Sequence, residues 1–184
     1  MSRATEIRSG QGEHAPTARM AHDRALAKVM QHLLKDDGER VAKVVKAAVI
    51  VDTNVVVAGF PTEGNALPVA RILRGMQAAA FTFVVSEPLL AEYREVLARP
   101  NVCRLHGLAA EAVAMLVDDL ARHATVLAPA SASAPAAPDP GDQMLWDLLA
   151  ARADLVLVTG DNRLLRDRGM RGRVISVEAY LAAA

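Results

Sequence analysis

The sequence contains little cysteine, few aromatic residues and no net charge. One residue of 184 is a cysteine, Cys103, which excludes an internal disulfide and a zinc site built from several thiolates. Aromatic residues make up 3% of the chain, which argues against a protein that stacks single-stranded bases on aromatic rings. Lys plus Arg and Asp plus Glu both number 21, so bulk charge favours neither nucleic acid nor a membrane surface as partner.

Long apolar runs are also missing from the sequence. No stretch approaches the about 20 apolar residues that span a bilayer, and the first 20 residues lack the apolar core of a secretory signal. We therefore expect a soluble, cytoplasmic protein without membrane contact. A hydrophobic content of 52% is sufficient for one sizeable core. We expect a domain over residues 47–184 and an N-terminal extension over residues 1–46, consisting of a disordered arm and one amphipathic helix.

The stretch AAVIVDTNVVVAGF, residues 47–60, is the most informative part of the chain. Its short apolar start is typical of a strand that is buried on both faces in a parallel sheet. Asp52 follows this strand, and ligands of open α/β sheets bind at the carboxyl ends of the strands. Asp52 is therefore a candidate site residue, although an Asp at this place also caps turns and helices. The same design recurs where the apolar run 155–158 is followed by Thr159 and Asp161.

Two helices each carry an acidic residue at the edge of an apolar stripe. Ser86 is a plausible N-cap of the first, on which Glu92 lies beside the stripe and Glu95 faces solvent. The second begins at Asp142, which also lies beside the stripe, while Asp147 lies on the far side. Strands and helices alternate along the chain, which predicts a parallel sheet with helices on both faces. Asp52, Glu92, Asp142 and Asp161 are therefore predicted at one edge of that sheet.

Four carboxylates at one edge would repel one another unless a cation neutralises them. A hard divalent cation such as Mg²⁺ or Mn²⁺ takes oxygen ligands from carboxylates and keeps water in its remaining positions. No histidine lies near these segments, which disfavours zinc. The residues alone thus predict a Mg²⁺ or Mn²⁺ site.

The four segments that carry these acids, read in order, resemble a known family. They are IVDTNVVV, SEPLLAEYREVL, DPGDQMLWDLLAARAD and LVTGDNRLL. Over residues 49–181 the chain resembles the PIN-domain nucleases, and most of all the toxins of toxin–antitoxin pairs. The resemblance implies a three-layer α/β/α domain with a mainly parallel central sheet. It also implies hydrolysis of RNA phosphodiester bonds with Mg²⁺ or Mn²⁺.

The resemblance assigns roles by position in this chain. Catalysis and metal binding fall to the four acids, Asp52, Glu92, Asp142 and Asp161. Asn54 and Thr159 match polar positions that line the site, and Thr53 and Thr159 are expected to donate hydrogen bonds to the carboxylates. Asp139 matches an additional acidic position of this branch, or is simply an Asp-Pro turn residue. The resemblance further implies a homodimer and a small antitoxin that covers the cleft.

Contact with RNA requires a local basic surface, since the total charge is zero. Arginines crowd the segment after Asp161, at positions 163, 166, 168, 171 and 173. We expect Arg163 and Arg166 to contact phosphate, although a solvated arginine face is the alternative.

Two other functions are compatible with the pattern. One is a Mg²⁺-dependent phosphatase with Asp52 as nucleophile, but that chemistry usually requires a second acid two residues later, where this chain has Asn54. The other is a catalytically silent module that binds RNA or a protein partner. The complete acidic set argues against the second alternative.

Overall fold

The computed structural model describes residues 48–60, 68–128, 134–170 and 172–183. The predicted extension over residues 1–46 lies outside them. The described strands are β1 (Val49–Val51), β2 (Val84–Val85), β3 (Thr125–Val126), β4 (Val156–Thr159) and β5 (Val174–Ser176). The described helices are α1 (Thr53–Ala58), α2 (Pro68–Gln77), α3 (Glu87–Leu97), α4 (Pro100–His106), α5 (Ala110–His123), α6 (Gln143–Ala151), α7 (Asn162–Arg166) and α8 (Val177–Ala183). No helix among them has both the length and the apolar character to cross a membrane.

The strands pair in parallel throughout. β4 lies between β1 and β5, and β2 pairs with β3. A parallel bridge between Val49 and Phe83 joins the two groups, so the strands run in the order β3-β2-β1-β4-β5. Parallel pairing directs every carboxyl end to the same edge, and this edge is where the predicted acids lie.

Helices cover this sheet to form the predicted three-layer α/β/α fold. The central strands β1 and β4 are buried along their whole length, because their residues are apolar on both faces. α3 and α6 bury Leu90, Tyr93, Leu145 and Trp146 in the core. This packing fixes the two helices that carry Glu92 and Asp142 relative to the strand ends.

The structure adds local features that the sequence did not predict. Pro100 is the first residue of α4, because a proline needs no partner for its nitrogen at a helix start. Helix α1 directly follows Asp52 and was not predicted, since its valines have low helix propensity. β2 is confined to Val84 and Val85, and the preceding Phe83 makes a single bridge to β1.

Candidate active site

The carboxyl ends of β1 and β4 form the centre of the candidate site. Val51 is the register partner of Val158, and the backbone N–H of Asp52 donates to the Val158 carbonyl at 3.0 Å. The residue that follows β1 therefore lies beside the last residue of β4, Thr159. Asp52, with 6% of its surface exposed, and Thr159, with none, are buried polar residues.

A network of hydrogen bonds fixes the Asp52 carboxylate. Oδ2 accepts from the Thr159 hydroxyl at 2.5 Å and from the Asn54 amide at 2.7 Å. Oδ1 accepts from the backbone N–H of Asn54 at 3.3 Å, so Asp52 is also the N-cap of α1. Asn54 Oδ1 accepts in turn from the Gly160 N–H at 3.1 Å. Asn54 and Thr159, expected to line the site, thus connect the two strand ends.

Asp161 occupies the corresponding place after β4. Its Oδ1 accepts from the backbone N–H of Arg163 at 2.7 Å and caps α7. Its Oδ2 accepts from the guanidinium of the same arginine at 3.0 Å. Arg163 Nη1 also lies 3.2 Å from Asp139 Oδ2. One arginine therefore connects two carboxylates, each of which also accepts a backbone N–H.

Glu92 approaches the same edge from α3. It is half-buried, and its Oε2 accepts from the Thr53 hydroxyl at 2.7 Å. Glu95, three residues later on the same helix, is exposed and pairs with Arg99 at 2.9 Å. Glu92 therefore lies at the edge of the buried face of α3, and Glu95 faces solvent, as the sequence predicted.

Asp142 reaches the site from the start of α6. It ends the 3₁₀ turn Pro140–Asp142. The N-cap of this turn is Asp139, whose Oδ1 accepts the Gly141 N–H at 2.9 Å. Asp142 itself makes no side-chain capping bond and is half-buried. Asp139 is therefore a turn residue, as the alternative interpretation held, and in addition an ion-pair partner.

The charges of these acids influence one another. Burial raises the pKa of Asp52 despite its hydrogen bond from Thr159, and the charges of Glu92 and Asp161 raise it further. Partial burial raises the pKa of Asp142, and the charges of Asp52, Asp139 and Asp161 add to the effect. By contrast, hydrogen bonds from Arg163 lower the pKa of Asp161. Asp52 and Asp142 are thus carboxylates whose negative charge their surroundings in the fold disfavour.

This chemistry fits a hard divalent cation. The donors are carboxylate oxygens, and two of them are held in an environment that an added positive charge would relieve. Within the described ranges, no three His, Cys, Asp or Glu side chains are grouped so that they could hold an ion as they stand. Oxygens of Asp52, Glu92 and Asp161 accept from protein donors instead. Ion binding therefore requires side chains to turn from these donors toward a common point.

Tyr93 is a neighbour of the site that the sequence did not reveal. Its buried hydroxyl donates to the carbonyl of Val51, the residue before Asp52. Burial and the charges of Asp52 and Glu92 raise the pKa of Tyr93, which keeps this hydroxyl a donor. Its only sequence signal was a hydroxyl in an otherwise apolar helix stripe, directly after Glu92.

Comparison with known families agrees with this geometry. A family model described as the PIN domain matches residues 48–163, more than half of the chain. The chain belongs to the PIN-domain family. PIN domains are generally nucleases that act on RNA or other nucleic acid with divalent metal ions, and membership implies this class of activity. A search of curated proteins finds no match to the chain.

Proposed function

We propose that this protein is an endoribonuclease that requires Mg²⁺ or Mn²⁺ and acts through Asp52, Glu92, Asp142 and Asp161. The observation that carries the proposal is the buried Asp52 carboxylate, which interacts with the charges of Glu92, Asp142 and Asp161 at one edge of the sheet. Four acids from segments far apart in sequence share this edge, which is where α/β proteins bind ligands.

In this proposal the strand-end acids Asp52 and Asp161 are metal ligands, and Glu92 or Asp142 orients the attacking water. Thr159 and Asn54 hold the Asp52 carboxylate in one orientation, and Thr53 does the same for Glu92. A divalent ion, when bound, lowers the pKa of water and offsets negative charge on the phosphate. The Thr159 hydroxyl also accepts a hydrogen bond from the backbone N–H of Asp161 at 2.9 Å. Thr159 therefore connects the two proposed ligands, Asp52 and Asp161.

The test compares two acids of the proposed site, Asp52 and Asp142, with an acid on α6 outside it. We expect Asp52→Asn and Asp142→Asn to reduce Mn²⁺-dependent cleavage of single-stranded RNA by about 100-fold or more. Asp147→Asn is the matched control, because Asp147 lies on the helix that follows Asp142 and its carboxylate accepts a hydrogen bond from Gln143 at 3.0 Å. Thermal unfolding confirms that each variant is folded. Full activity of Asp52→Asn would refute the proposal, and a covalent phosphoenzyme would favour a phosphatase.

We propose further that Arg166, together with Arg163, contacts RNA phosphate. Both residues lie on the exposed side of α7, directly after Asp161. The expected result is that Arg166→Gln weakens RNA binding and reduces its dependence on salt concentration. An unchanged affinity and salt dependence would remove this part of the proposal.

The proposed biological role is that of a cytoplasmic toxin, active as a homodimer and inhibited by a small antitoxin. Resemblance of the four acid-bearing segments to that branch supports this role. Co-expression with the product of a short neighbouring reading frame tests it: the partner should co-purify with the protein and suppress RNA cleavage. Equal cleavage with and without such a partner would oppose it.

A further inference from the structure

Arg163 places a positive charge beside the acidic residues of the candidate site. Among the residues that the structure describes, it supplies the ion pairs that reach the acidic site, at 3.0 Å to Asp161 Oδ2 and 3.2 Å to Asp139 Oδ2. The other described ion pairs connect surface residues elsewhere, such as Arg94 with Asp118 and Arg152 with Asp154. The cationic partner of the site thus comes from the chain itself.

The two oxygens of Asp161 have different partners, and this difference decides which one a metal can take. Oδ1 accepts the backbone N–H that begins α7, so removing it would uncap the helix. Among the described residues, Oδ2 is bound only by the guanidinium of Arg163, through Nε at 3.3 Å and Nη2 at 3.0 Å. Oδ2 is therefore the oxygen that a divalent ion can take without disturbing the cap of α7, and it is the oxygen that Arg163 now occupies.

Release of Asp161 by Arg163 would cost the fold little stability. The Arg163 side chain is 66% exposed, and ion pairs at such positions contribute little to stability. Asp139 offers the guanidinium a second carboxylate after Asp161 has turned away. The exposed fork also matches the bidentate geometry of phosphate.

We propose that Arg163 competes with the divalent ion for Asp161, and that the ion binds only after this guanidinium has left Asp161 Oδ2. This inference rests on the proposed function, because it assumes that Asp161 is a metal ligand. Arg163 thereby keeps the acidic site partly neutralised while no metal is bound. In the metal-bound protein the same guanidinium is free to contact a substrate phosphate.

Calorimetric titration of Mn²⁺ into metal-stripped, full-length protein tests the competition without any activity readout. We expect Arg163→Gln to bind Mn²⁺ about tenfold more tightly than the wild type, because Asp161 is released in advance. Arg163→Lys should fall between the two, since it keeps the charge but loses the fork. Arg168→Gln, the loss of one exposed charge five residues further on, controls for a general charge effect and should change the affinity less than twofold.

The outcomes separate the two proposals. If the wild type binds Mn²⁺ and Arg163→Gln binds it no more tightly than Arg168→Gln does, the competition is refuted and the proposed function stands. If neither the wild type nor Arg163→Gln binds Mn²⁺, both proposals fall. Binding by Arg163→Gln alone would support the competition most strongly. A Mn²⁺-bound crystal structure in which Arg163 still pairs with Asp161 Oδ2 would refute it independently of affinity.

Discussion

At the scale of single residues, Asp52 is the helix cap that one interpretation of the sequence predicted, and the site role that we propose for it involves its other oxygen. Its Oδ1 caps α1, while Oδ2 lies in the network with Thr159 and Asn54 at the edge of the sheet. A sequence pattern cannot separate a cap from a ligand here, because a carboxylate has two oxygens and these can have different partners. Asp161 shows the same division between the α7 cap and Arg163.

The raised pKa of Asp52 leads to a prediction about pH. Burial raises this pKa in the folded protein, so the folded state binds a proton that the unfolded state has already lost. The stabilising contribution is therefore complete below the ordinary Asp pKa and is lost as the pH rises through the raised pKa. We expect the Tm of metal-free wild type to fall relative to Asp52→Asn as the pH rises from about 4 to 7, by roughly 3–6 °C for each pKa unit of difference.

Thermal unfolding in the presence of a chelator measures this difference. The control variant is Asp118→Asn, because Asp118 is exposed and pairs with Arg94. Relative to this variant, the Tm of the wild type is not expected to fall comparably as the pH rises. A Tm difference between wild type and Asp52→Asn that stays constant over this pH range would show that the buried carboxylate does not oppose folding.

At the scale of secondary-structure elements, the end of α6 depends on an arginine from another segment. The Arg173 guanidinium donates to the carbonyls of Leu149 and Arg152, each at 2.5 Å, and of Leu155 at 3.1 Å. These groups lie at the end of α6 and in the connection to β4, where helix carbonyls lack partners. Arg173 therefore ties the helix that follows Asp142 to the strand that precedes Asp161.

Replacement of Arg173 by methionine is predicted to destabilise the domain by about 2–4 kcal/mol, because three buried or half-buried carbonyls lose a charged donor. Urea unfolding measures the change. Arg168→Met, an exposed substitution of the same type, should stay within about 0.5 kcal/mol of the wild type. Equal stability of the two variants would contradict the structural role of Arg173.

Elements were predictable from the sequence where one local pattern decided them. The apolar runs of β1 and β4, the Ser86 cap of α3 and the edge position of Glu92 all follow from residues within a few positions of each other. The sequence places Arg173 in the arginine cluster considered for RNA contact, because its carbonyl partners lie 18 to 24 residues away and no periodicity points to them. Helix α4 was missed because Pro100 both follows one helix and begins the next.

At the scale of the whole molecule, the order of the acidic segments and the alternation of strands and helices were sufficient to predict the fold. Parallel pairing then placed the acids at one edge without any knowledge of their contacts. The engagement of Arg163 by Asp161 and Asp139 was not predictable, since it depends on how the turn before α6 meets the end of β4.

Metal binding should stabilise the whole domain if the acids share an ion. At a Mn²⁺ concentration of about 100 times Kd, binding contributes about 2.7 kcal/mol, which corresponds to a Tm increase of roughly 5–10 °C. We expect this increase in the wild type at neutral pH and its loss in Asp52→Asn. Differential scanning calorimetry with and without Mn²⁺ checks the result, with Ca²⁺ and high NaCl as controls for ionic strength. An equal increase in both proteins would place the ion elsewhere.

The hydrogen bond between Asp52 and Thr159 joins residues that are 107 positions apart. β1 meets both of its neighbours, at Phe83 and Val156, across long intervening segments, because parallel strands cannot be joined by a tight hairpin. As the ribosome makes the chain from its N-terminus, Asp52 emerges well before Thr159 and Asp161 have been joined to it. A nascent chain therefore has no assembled site with which to cleave its own mRNA. The activity that we propose begins only after translation has passed β4.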